Sequence, residues 1–96
     1  MKVSEIKPND IANYLKLDEG EYQEQELETL IGISKAFIKS YTGLKEDAQL
    51  DQHDDFVIVV YILCQDMYDN RRLYVDKNNL NKVVDTILGM HSVNYL

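Results

Sequence analysis

The sequence predicts an all-α fold, a compact bundle of about four helices around a central, largely buried apolar helix. Three observations predict it. Apolar residues recur at alternating steps of three and four from Leu27 to Tyr41, and again from Leu80 to His91. An unbroken apolar run, Phe56 to Cys64, lies between them. Helix-starting and helix-ending residues such as Pro8, Gly43 and Asp51 punctuate the pattern at the expected places.

The first helix is expected to begin near Pro8, whose ring pre-sets the dihedral of a first helical position. Ile6 and Ile11 stand where a hydrophobic staple pairs them, and Asp10 faces the positive helix end. Ile11, Tyr14 and Leu15 form a short apolar stripe, and Leu17-Asp18-Glu19-Gly20 closes the segment.

The second helix is the clearest. Leu27, Leu30, Ile31, Ser34, Phe37, Ile38 and Tyr41 share one face. Glu24, Glu26 and Glu28 load its first half and Lys35 and Lys39 its second, which complements the helix dipole. Gly43 is its natural C′ residue.

The third segment is rich in β-branched residues and by composition could be a buried strand. A helix over about residues 52–70 is favoured, because Asp51 is a good N-cap and the pattern runs on through Met67 and Tyr68, too long for an ordinary strand. Being apolar on every face, it belongs at the centre. Leu73 to Asn79 reads as a loop. The fourth helix is expected to start at Asn78 or Asn79 and to bury one face made of Leu80, Val83, Val84, Ile87, Leu88 and His91.

The whole chain, residues 1–96, reads as a single domain, without repeat, linker or low-complexity tract. Ten Lys and Arg against seventeen Asp and Glu give a net charge of −7, which argues against a general grip on nucleic acid. Cys64 is the only cysteine, so an internal disulfide is impossible. No apolar run is long enough to span a membrane, and Met1 to Asp10 lack the apolar stretch of a signal peptide, so a cytosolic protein is expected.

Candidate chemistry is sparse. His53 and His91 lack partners at metal-ligand spacing in the sequence; a site could assemble in three dimensions from His53, Asp51, Asp54 and Asp55, but acids at a helix start read first as capping groups. His91 reads as the edge of a core near a helix C-terminus. Cys64, inside the densest apolar run, reads as a buried, inert thiol. The four glycines are scattered, so there is no phosphate-binding loop. Neither an enzyme, nor a cofactor, nor a metal centre is expected. The most informative stretch is Gln65-Asp66-Met67-Tyr68-Asp69-Asn70-Arg71-Arg72, which puts acids, an amide, arginines and an aromatic at one helix end. It reads either as a solvated terminus with local ion pairs or as an interface, since Tyr and Arg are frequent binding hot spots.

Those residues carry a resemblance. The ordered set Asn9-Asp10-Ile11 with Tyr14-Leu15, then Ala36, Ile38 and Tyr41-Thr42-Gly43, then Asp66-Met67-Tyr68-Asp69-Asn70-Arg71, resembles the small head–tail connector (adaptor, or head-completion) proteins of long-tailed bacteriophages and prophages. The closing Ile87-Leu88, His91 and Asn94-Tyr95-Leu96 are similar to the end of such chains, so the likeness spans nearly the whole sequence. Arg72-Leu73-Tyr74-Val75 departs from it in being more apolar than that loop usually is.

The resemblance implies a structural virion protein of the head–tail junction, present in the host cytoplasm during assembly. It implies a ring of about twelve copies closed through a heterologous interface. The ring docks on the portal after DNA packaging, extends the DNA channel and receives a stopper or tail-completion protein. Packaged DNA passes through without sequence-specific binding, and an acidic lining suits that passage. Contacts with neighbouring subunits and the portal are expected at or beside Tyr68, Asp69, Asn70, Arg71, Arg72 and Tyr74, with Arg71 meeting a neighbour's carboxylate and Asn70 closing the helix end. The tail, Asn94, Tyr95 and Leu96, is a second expected contact. The competing reading is an acidic regulator or DNA mimic that binds a basic partner through Asp18, Glu19, Glu21, Glu24, Glu26 and Glu28. A helix-turn-helix reader is disfavoured because no helix carries a basic face.

Overall fold

In the computed structural model, residues 1–92 are described. Among them every regular element is helical: α1 (Pro8–Leu15), α2 (Glu24–Thr42), α3 (Asp47–Leu50), α4 (Phe56–Asp69) and α5 (Lys82–Met90), with single 3-10 turns at Val3–Glu5 and Lys77–Asn79. The all-α expectation holds. The four longer helices are those read from the sequence, and α3 is an additional single turn. The radius of gyration is 13.0 Å, close to the roughly 13 Å expected of a folded domain of this length.

α4 is the central helix: α1, α2 and α5 all pack against it, as does the N-terminal 3-10 turn. Phe56, Val59, Val60, Leu63, Cys64 and Met67 are its buried side chains. They meet Leu27, Leu30, Ile31 and Ile38 of α2, Ile11 and Ala12 of α1, and Val84 and Leu88 of α5 in one core. The helix is not apolar-buried on every face, however. Ile58 is exposed, and Val57, Tyr61 and Ile62 are half-buried. β-branched residues therefore extend onto the surface side of the helix, which is why the run showed no period.

Local chemistry sets the boundaries. Asp10 accepts the Lys7 amide at 2.9 Å ahead of α1, and Ile6 and Ile11 are both buried, as a staple requires. Tyr14 is not part of the buried stripe: it lies at the surface, its ring 5.0 Å from that of Tyr61. α1 ends on Lys16 in the left-handed region (φ 59°), with Leu17 N–H donating to the Ala12 carbonyl. α2 ends on Gly43 (φ 83°), as its sequence predicts, with Gly43 N–H donating to Lys39 O at 2.9 Å. Ser34, polar on the inner face of α2, donates to the Leu30 carbonyl at 2.9 Å and sits 3.5 Å from the Cys64 sulfur. That satisfies its hydroxyl inside the core.

Two expected caps are corrected. Asp51 does not cap α4. It ends α3, and its carboxylate accepts both the Ser4 amide (2.9 Å) and the Ser4 hydroxyl (2.6 Å), tying the N-terminal turn to α3. α4 starts only at Phe56, after turns in which Phe56 and Val57 amides donate to His53 and Asp54 carbonyls. Neither Asn78 nor Asn79 caps α5. They form a 3-10 turn capped by Asp76, and Asn81 caps α5 by accepting the Val83 amide at 2.8 Å. On α5, Val84 and Leu88 are buried whereas Val83 is exposed, so the expected continuous face is narrower than the spacing suggested.

Candidate interface at the end of the central helix

α4 closes with two backbone bonds: Arg72 N–H donates to Met67 O at 2.9 Å and Arg71 N–H to Tyr68 O at 3.3 Å. This is the Schellman arrangement, which needs a left-handed residue and usually recruits glycine. Here Arg71 occupies that place at φ 53°. The turn aims successive side chains in different directions, and each finds a distinct environment.

Asp66 is the hub. Its backbone carbonyl accepts Asn70 Nδ2 at 2.8 Å and its Oδ1 accepts the same amide at 3.1 Å. Asn70 thus closes the helix end, as its sequence position suggests. Asp66 Oδ2 pairs with Arg72 Nη2, so Arg72 folds back along its own chain. The Arg72 guanidinium also lies 5.6 Å from the Tyr74 ring centre. Arg71 is the opposite case. Its side chain is 73% exposed, its guanidinium lies over the Tyr68 ring at 4.8 Å, and the Glu26 carboxylate is 3.9 Å away. An ion pair of that length and exposure holds the side chain weakly.

Beside the arginines, Leu73 and Tyr74 are 66% and 61% exposed. They border a shallow groove with Ile33, Ala36 and Phe37 of α2 and Lys77. Val75 turns inward against the core. The apolar character of this loop is therefore a surface property at two of its positions. A second apolar surface lies on α5, where Val83 (51%) and Met90 (66%) are exposed and Ile87 is half-buried.

Of the expected contact residues, Tyr68, Asp69, Asn70, Arg71, Arg72 and Tyr74 are brought together at this one helix end. Asn94, Tyr95 and Leu96 lie outside the described residues. What the sequence disclosed only in part is a second constellation. His53, Asp55 and His91 converge from the loop before α4 and the end of α5, with His91 Nε2 at 2.8 Å from Asp55 Oδ2 and the imidazole centres 4.2 Å apart. The 36-residue separation of Asp55 and His91 hid it, because no local spacing links them.

Elsewhere several titratable groups have structural partners or are buried. Burial pushes the Cys64 thiol up to about 11, although the Ser34 hydroxyl opposes this. The Ser4 hydrogen bonds hold Asp51 below its ordinary range, and the Lys39 ammonium does the same for Asp47. Tyr41 donates to the Asp85 carboxylate, and that bond raises the phenol's pKa. No protein-family model, no curated protein and no solved structure matches this chain.

Proposed function

We propose that this chain is a subunit of an oligomeric head–tail connector, a structural, non-catalytic protein whose ring docks on a phage portal, continues the DNA channel and receives the next tail component. The observation that carries the reading is the end of α4, where an exposed, weakly held Arg71 guanidinium stands beside the exposed Leu73 and Tyr74. Arg and Tyr in such a setting have the composition of a binding hot spot. A closed ring needs two different surfaces per subunit, one meeting the other on the next copy. The α4 end and the Val83–Met90 side of α5 supply two apolar surfaces on different segments. A net charge of −7 suits a channel wall that does not hold DNA.

The test mixes the protein with the portal protein of the same genome and images the mixture by negative-stain electron microscopy. The reading expects an added ring on one end of the portal, lost in the Arg71→Ala, Leu73→Asp double variant. No added density at concentrations well above micromolar overturns it.

One observation favours a second reading. Asp18, Glu19, Glu21, Glu24, Glu26 and Glu28 are all exposed, and they crowd the first half of α2 and the loop before it. An acidic regulator would use them to fill the basic groove of a partner, and would form a small complex of fixed stoichiometry in place of a ring.

A further inference from the structure

We infer that His53, Asp55 and His91 form a binding site for a divalent transition-metal ion of the zinc class, which joins the loop before α4 to the C-terminal end of α5. The inference stands apart from the connector reading and uses none of its expected contact residues.

The donor set comes first. Two imidazoles and one carboxylate suit zinc and its neighbours, whereas calcium and magnesium take oxygen ligands. Zinc sites with three protein ligands leave the fourth position to water. The ligand atoms here all lie within 4.8 Å of one another. Ligands about 2.0–2.1 Å from a tetrahedral zinc stand roughly 3.4 Å apart, so small side-chain rotations bring the three into range. His91 and Asp55 are already drawn together, with a hydrogen bond at 2.8 Å where the ion would bridge them.

The three side chains are also preorganised. All three residues are half-buried. Phe56, fully buried, supports both rings: its centre is 5.0 Å from that of His53 and 5.2 Å, edge-on, from that of His91. The imidazoles are therefore positioned by core packing and by the start of α4, which lowers the ordering cost of binding. Asp54 adds a further negative charge next in sequence, exposed and outside the ligand set. Cys64 offers no competing site, because it is buried against Ser34.

The experiment titrates the full chain with Zn²⁺ by calorimetry and follows the imidazole resonances of both histidines by NMR. One equivalent is expected to bind, shifting the His53 and His91 signals together, and the melting temperature is expected to rise with Zn²⁺ concentration. His53→Gln and His91→Gln should each weaken binding by about tenfold or more, while Asp54→Asn changes it by less than about twofold. Should a histidine variant fail to fold, the NMR titration of the unaltered protein decides alone. Absence of saturable binding, perturbation of only one histidine, or undiminished affinity in both folded histidine variants overturns the site.

Discussion

Arg71 holds the left-handed conformation that closes α4 without the freedom of glycine. A non-glycine residue there costs about 1 kcal/mol, partly offset because glycine has more entropy to lose on folding. Arg71→Gly is therefore expected to raise stability by about 0.5 kcal/mol in urea denaturation and, on the connector reading proposed above, to weaken ring assembly. Stability rising as assembly falls would separate a contact residue from a structural one; unchanged assembly would remove Arg71 from the interface. Cys64 makes a companion case. Its thiol is buried, with a pKa pushed up to about 11. Alkylation at pH 8 should be slow in the folded protein and rapid once urea unfolds it, as mass spectrometry would read. Rapid native labelling would contradict the buried position.

Among the elements, the outcome divides by how local the cause is. Pro8, Gly43 and the period of α2 were legible because each acts within a few residues of itself. The start of α4 was not: Asp51 has a capping residue's chemistry, but its carboxylate was claimed by Ser4, 47 positions away. Asn81 was overlooked for a different reason, since the run Asn78-Asn79-Leu80-Asn81 offers several equivalent caps and only the turn set by Asp76 chooses among them. The α4 end was legible as a cluster of residue types, not as a division of labour between a tethered, half-buried Arg72 and a weakly held, exposed Arg71. The histidine–aspartate constellation was half legible: His53 and Asp55 are sequence neighbours, but tertiary packing alone brings His91 to them.

The Ser4–Asp51 tie also yields a sign. Asp51 binds its proton more weakly folded than unfolded. Its contribution is thus complete above its ordinary value of 3.8 and is lost as pH falls through the depressed value. The stability difference between the natural chain and Asp51→Asn should hold steady down to about pH 4 and shrink as the pH falls further, and a difference that stays constant in acid would exclude the linkage. Gly32 is a separate test of α2. An added Cβ there meets nothing within 4 Å, so Gly32→Ala should stabilise by about 0.5–1 kcal/mol in thermal unfolding.

For the molecule as a whole, one core supports everything, and Phe56 sits in it at 0% exposure. Phe56→Ala should cost about 3–5 kcal/mol, a large part of the total available to a domain of this size, and leave it largely unfolded at 37 °C by circular dichroism. The net charge of −7 opposes self-association. Added salt should accordingly strengthen ring formation by screening like charges, whereas it should weaken an acidic protein's grip on a basic partner. Sedimentation across a salt series separates the two readings by the direction of the change.

α5 is among the least anchored of the four longer helices. Nine residues long, it commits only Val84 and Leu88 fully to the interior, and a helix so short is barely stable unless packed. Its amides should therefore exchange with deuterium sooner than those of α2 and α4, through openings that leave the other helices folded. Each opening uncovers the sides of α2 and α4 on which α5 rests. That exposed trough has the right shape for the same helix of another molecule, so slow exchange of α5 between chains is the hazard this fold carries at high concentration.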